Sequence, residues 1–364
     1  MNSIINEFRE FVNNNLDYII YVYANKNGRN QWNCICASMN WIEVALDNIS
    51  CIQYDEKNIN IKCMQVYSYI SAIDLIWESI KQLHRVIVSP KGVPFKDDIR
   101  VFEKQLELND NEYFKHLRAI FGAHPVNIKD PSNPTAKYFA NWPNEDLFGD
   151  YDFVSTLWTA DTGEEALDLR IGFKFSQLDE FLNIRYEYLK VLKDKLNEDI
   201  NRHYIKMRKV KIKSSDDIRV QLNILKSELD IRKTDDYYSE IINKLIGFFN
   251  SDRIIASNNP VILRYLEKLQ DVINELKHNI QAMIFTELES HSIIHLRYPK
   301  ELYYNLSKVY NYYNHYDINI DNYNFYIKPI AEFLKEYVDI TYDMSYEECS
   351  LAINAGLFEY WGKN

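Results

Sequence analysis

Apolar residues recur at three- and four-residue intervals along most of this chain, the spacing of helices that turn one face to a core. The pattern predicts helices over residues 4–13, 32–49 and 61–86. In the second, Trp41, Ala45, Leu46 and Ile49 share a face. In the third, Val66, Tyr69, Ile70, Ile73, Leu75, Ile76, Trp77, Ile80 and Leu83 cover more than one stripe, which places that helix centrally. A loop through Asn25-Lys-Asn-Gly28-Arg-Asn precedes the second helix, and Ser89-Pro-Lys-Gly-Val-Pro94 ends the third. A short helix near 97–107, another over 111–121 and a long one over 176–207 follow.

The period changes from 3.6 to 2 in one place. Phe153, Ser155 and Leu157 alternate, as do Leu167, Leu169, Ile171 and Phe173, around Asp161-Thr-Gly163-Glu164. This reads as a single β-hairpin over 151–175. Beyond a linker at 213–217, in which Ser215 is placed to cap the next helix, the pattern is helical again: 218–229, 237–249, 260–288, 300–313, 326–338 and 346–360. Asn259-Pro260 and Tyr298-Pro299 mark helix starts, and Ser345-Tyr-Glu-Glu348 is a capping box. The expected fold is mainly α: a multi-helix bundle over 1–212 with one inserted β-hairpin, then an all-α region over 213–364. No 20–50-residue repeat is present, so a solenoid is not expected.

Composition narrows the class. With 364 residues, 46% of them hydrophobic and 26% charged, the chain can bury a core without staples. Only 9 Gly and 9 Pro argue against a turn-rich all-β fold. The five cysteines fit reduced thiols and a cytoplasmic location, and their spacing matches no CxxC zinc framework. The first residues lack a basic leader, and the most apolar short stretch, 18–24, is far below the ~20 residues that cross a bilayer, so no membrane association is expected. A net charge of −11 argues against general nucleic-acid attraction. The run from Arg202 to Lys213 is a local exception, either a phosphate track or a solvated helix end. Gly-rich phosphate loops, dinucleotide fingerprints and nucleophile elbows are missing, so no cofactor is implied.

The residues most suited to chemistry lie in Tyr113-Phe-Lys-His116-Leu-Arg118-Ala-Ile-Phe-Gly122-Ala-His124-Pro125. Pro125 and Gly122 stop the helix, so His124 falls at its end and the chain can turn it back toward Arg118 or toward a second subunit. A guanidinium can hold a scissile phosphate with two donors. An imidazole can move a proton near neutral pH while the RNA's own 2′-hydroxyl attacks. Arg118-Ala-Ile-Phe-Gly-Ala-His124, preceded by a helix with Asp74 and Glu78, resembles the Arg-x(4–6)-His motif of the HEPN superfamily. That resemblance covers about residues 32–200 and implies a metal-independent RNA endonuclease, in defence or growth arrest, with Arg118 and His124 catalytic and His116 as a helper. It also implies a homodimer, because one motif per chain makes half a site, with RNA and a protein partner as ligands. Ala119 stands where many catalytic members carry a polar residue.

Two other readings remain open at this level. Arg118 can instead pair with Asp74 or Glu78 while His124 caps a helix, which makes the chain a non-catalytic interaction or sensor module. Alternatively, Glu287, His291 and His295 fall on one face of a continuous helix and could hold a metal for hydrolysis.

Overall fold

The long central helix sets the first unit. In the computed structural model, which describes residues 3–50, 57–102, 106–123, 128–129, 136–141, 150–160, 167–233, 236–314 and 320–363, the chain forms two units, Met1–Ile200 and Asn201–Asn364. In the first, α1 (Ser3–Asn14), α2 (Leu16–Tyr23) and α3 (Gln31–Ser50) precede α4 (Ile59–Ile87). Asn58 caps α4 by accepting from the Asn60 amide at 3.0 Å. Ile70, Ile73, Ile76, Ile80 and Leu83 of α4 are wholly buried, as the multi-stripe pattern requires. They pack in one core with Ile5, Phe8 and Val12 of α1 and with Leu178, Phe181, Leu189 and Leu192 of α6 (Phe175–Lys209). Leu75, at the edge of that pattern, is exposed. On α3 the buried face is Ile35, Met39, Ile42, Ala45 and Leu46, and Trp41 points outward at 52% exposure.

Residues 97–102 and 106–107 are not helical. The carboxylate of Asp110, itself buried, accepts from the amides of Arg100 (3.0 Å), Val101 (3.3 Å) and Phe102 (3.4 Å). A side chain that captures successive amides offers the backbone an alternative to the helix. Asp110 thereby pins the loop that leads into α5 (Asp110–Arg118), which Asn109 caps by accepting from the Glu112 amide at 2.9 Å.

The β-structure is larger than one hairpin. Strands β1 (Ile128–Lys129), β2 (Lys137–Ala140), β3 (Phe153–Thr159) and β4 (Leu169–Phe173) form an antiparallel sheet in chain order. The β3–β4 pair sets Phe153 opposite Phe173 and Leu157 opposite Leu169, but Val154 is buried too and Leu167 lies before β4 and is exposed, while the turn at Asp161–Glu164 falls among residues outside those described. The two added strands lie on β3's other edge, Tyr138 opposite Thr159.

The second unit is all helix among the described residues: α7 (Ile218–Arg232), α8 (Asp236–Phe249), α9 (Asp252–Ala256), α10 (Pro260–Ala282), α11 (His291–Ile294), α12 (Tyr303–Asn314), α13 (Ile320–Leu334) and α14 (Tyr346–Lys363). Leu225, Leu245, Leu269, Leu276, Ile330 and Leu351 meet in its core. Asp217, rather than Ser215, caps α7, because it is the residue directly before the helix and its Oδ1 accepts from the Arg219 amide at 2.8 Å. Asn259 caps α10 ahead of Pro260, and Ser345 and Glu348 form the reciprocal capping box at 2.9 and 3.2 Å. Pro299 lies four residues before α12 rather than in its first turn. Among the described residues, no helix is long and apolar enough to cross a membrane.

Candidate functional site

Helix α5 is held against α6 by apolar packing. Phe114 stacks on Phe181 with ring centres 4.4 Å apart, and Tyr113 stacks on Phe102 at 4.7 Å. Arg185 of α6 is itself buried over the Phe181 ring at 3.5 Å and donates to Asn111 Oδ1 at 2.7 Å. These contacts fix the end of α5, where Arg118 is the last α-helical residue. Its Nε lies 2.9 Å from Oδ2 of Asp74 on α4. The arginine side chain is 45% exposed and the aspartate side chain 15%, so the pair has a wet end and a dry end. Burial raises the Asp74 pKa above the usual carboxylate range, opposed by Arg118 and reinforced by Glu78. Glu78 is engaged by Lys81 one turn along, so of the two acids it is Asp74 that holds Arg118.

After Arg118 the helix widens into a π-helical turn, Ala119–Ala123, a feature frequent at functional sites. His124 follows directly in the sequence and lies outside the described residues. His116 is partly buried and engaged, and α5 does not bring it to Arg118's face: two residues are about 200° apart on an α-helix. The run beginning at Arg202 forms the exposed C-terminal turns of α6, with Lys206, Arg208 and Lys209 in its last turn. Cations favour that end of a helix dipole.

Glu287, His291 and His295 do not share a helix. Met283 takes the left-handed conformation (φ 55) and ends α10 at Ala282, because its amide and that of Ile284 bond back to Ile280 and Asn279. α11 is a separate turn of four residues. The His291 and His295 rings stack face to face at 4.2 Å, and His291 Nδ1 is 2.8 Å from the Tyr237 hydroxyl and 3.4 Å from Glu287 Oε1. Stacked rings point their in-plane nitrogens side by side rather than at one point. Among the described residues no group of three His, Cys, Asp or Glu is placed to hold a metal ion.

His295 instead borders a cavity of about 570 Å³ in the second unit, lined also by Tyr237, Lys244, Tyr346, Glu347 and Ser350 among others. Lys244 donates to the Ile294 carbonyl at 2.8 Å and sits 3.5 Å from Asn354 Oδ1. No carboxylate among the described residues forms an ion pair with it, and burial pushes its pKa down to about 8. His295 is lowered as well, first by burial and then by Lys244 and His291. The one sequence signal for this site is that Lys244 lies on the face marked by Ile241, Leu245 and Phe248, where a cation is out of place.

Lys244 carries a pH prediction. The folded chain releases this proton near pH 8, whereas the unfolded chain keeps it to about pH 10.4. The folded state therefore gains stability relative to the unfolded one as pH rises from 8 to 10, and loses that gain below 8. Against Lys244→Met, the wild type should gain about 2 kcal/mol between pH 7 and pH 10. Urea denaturation at the two pH values checks this, and a constant difference between the two proteins would contradict it.

Compared with known proteins, this chain matches no family model, no curated protein and no solved structure.

Proposed function

We propose that the N-terminal unit is a metal-independent RNA endonuclease of the HEPN kind, acting as a homodimer in which the Arg118 and His124 pairs of two copies face one RNA strand. The observation that supports this reading is the placement of Arg118: last residue of α5, half exposed, and oriented by a largely buried acid from the preceding long helix. With Nε committed to Asp74, the outer guanidinium donors are those that grip a phosphate in a two-pronged bond. His124 takes the proton of the 2′-hydroxyl, whose oxygen attacks phosphorus. The P–O5′ bond breaks, and the 5′-oxygen leaves with a proton from the second copy's imidazole. The products are a 2′,3′-cyclic phosphate and a 5′-hydroxyl. Cleavage of this kind fits a defence or growth-arrest effector.

The Arg118–Asp74 pair also favours a second reading, in which Arg118 only ties α5 to α4 and the chain is a non-catalytic interaction or sensor module. Wild-type protein incubated with total and structured RNA in EDTA separates the two. The endonuclease reading expects cleavage, cyclic-phosphate ends, and a light-scattering mass about twice the 43.4 kDa of the chain. A strict monomer that cuts no RNA would leave the interaction module as the reading.

A further inference from the structure

The first unit contains a second cavity, of about 750 Å³, far from neutral although the chain as a whole carries −11. Lys26, Arg29, Arg85 and Lys91 line it together with Gln31 and Gln82, and among the described residues no acid does. We propose that this cavity is a binding site for a polyphosphate ligand of the nucleoside triphosphate class. The inference does not depend on the endonuclease reading.

The cavity is assembled from two stretches of chain. One is the loop between α2 and α3, where Asn27 (φ 56) and Gly28 (φ 72) both take positive φ, the geometry of the tight hairpin turn that Asn-Gly favours. The turn pairs Lys26 with Arg29 as an isolated antiparallel bridge, closed by the Arg29 amide on the Lys26 carbonyl at 3.2 Å. Residues directly opposite in such a pair present their side chains on the same face. The turn thus delivers two cations to one side. Lys26 anchors it by donating to the Val86 carbonyl at 2.9 Å and covering the Tyr23 ring at 4.5 Å.

The other stretch is the end of α4 and the turn after it. Gln82 and Arg85 are three residues apart and share a helix face. The turn folds back closely over the helix end: the Gly92 amide bonds to the Ser89 carbonyl at 3.1 Å, and a side chain at Gly92 would collide with the buried His84 ring. That close return brings Lys91 over the same face, and Val86, Pro90 and Val93 add an apolar wall.

What makes this a site rather than a solvated patch is the absence of counter-charge. Arg29, Arg85 and Lys91 form no ion pair with any acid among the described residues. Asp199, which acts on Lys26 through space, is 3.3 Å from Lys195. Converging cations in a concavity raise the local concentration of anions. The volume is within the ~300–1,000 Å³ of small-molecule sites. A triphosphate places three anionic groups within one such cavity, whereas an RNA strand offers one phosphate per nucleotide. The apolar wall gives a base a surface to lie on.

The test is calorimetry of the full chain with four probes: ATP, sodium tripolyphosphate, AMP, and a short RNA with no terminal phosphate. ATP and tripolyphosphate should bind, with AMP weaker by at least about tenfold. Arg85→Ala with Lys91→Ala should weaken ATP by roughly a hundredfold, about tenfold for each lost charged bond. Lys268→Ala, on the exposed face of α10, should leave it unchanged. Among the described residues neither Arg85 nor Lys91 forms an ion pair, so melting should be unaffected, and Lys91→Glu gives an independent second variant. The proposal is overturned if ATP and tripolyphosphate fail to bind at millimolar concentration, or if the double variant binds ATP as the wild type does. Equal affinity for AMP and ATP, or binding of the RNA alone, would also overturn it.

Discussion

His124→Ala is expected to abolish RNA cleavage while leaving the fold intact. Removing a positioned general acid or base costs about 10²–10⁴ in rate. If both copies in a dimer contribute His124, the variant loses the base and the acid together, which puts the loss at the upper end. Arg118→Ala should abolish cleavage too, and its effect on stability is informative. The Arg118–Asp74 pair has one largely buried partner, but Arg118 itself is half exposed, which limits the loss to about 1–2 kcal/mol. His116→Ala, directed to another face of α5, should cut RNA as the wild type does. The measurements are RNA cleavage in EDTA and thermal melting for all three variants. Cleavage undiminished in His124→Ala would move the activity to another site or to a contaminant.

The largest expected loss of stability is at Arg232. This side chain is 0% exposed, at the end of α7. Its guanidinium meets Glu228 at 3.1 Å and donates to the carbonyls of Met207 and Val210 at 2.8 Å each. Those carbonyls belong to the last turn of α6 and the residue just past its end, and each has one further donor, the Val210 amide at 3.0 Å on Met207 and Gln281 Nε2 at 3.1 Å on Val210. Its backbone carbonyl also engages His203 Nε2 at 2.7 Å. Arg232→Ala would take one donor from each of two carbonyls and leave a mostly buried carboxylate without its arginine. A loss of about 3–5 kcal/mol follows, or on the order of 10 °C in the melting of the second unit. Arg232→Lys keeps the charge but not the fork that reaches both carbonyls, so it should recover only part. A variant that melts within a degree or two of the wild type would show that water satisfies these groups.

The helices were legible where their apolar residues kept a 3.6 period and their ends carried local signals. α4, α6 and α10 are of this kind, as are the Asn259-Pro260 start and the Ser345–Glu348 box. α2 escaped because Leu16–Tyr23 is apolar nearly all round and shows no stripe. The helix expected near 97–107 failed because Asp110, outside that window, takes its amides. Strands β1 and β2 are two and four residues long and exist only by pairing onto β3, information no local window holds. At the candidate site, Asp74 was visible as an acid on the helix before Arg118. The basic cavity was not, because its halves lie more than fifty residues apart in a chain whose overall charge has the opposite sign.

The division into two units has an optical consequence. Trp32, Trp41, Trp77, Trp142 and Trp158 all belong to Met1–Ile200, and Trp361 alone belongs to Asn201–Asn364. Indole emission therefore reports mainly on the first unit, while far-ultraviolet dichroism, dominated by helices, weighs both. Denaturation curves from the two signals coincide only if the units unfold together. The loss at Arg232 will be seen in full by dichroism and only faintly by fluorescence if they do not.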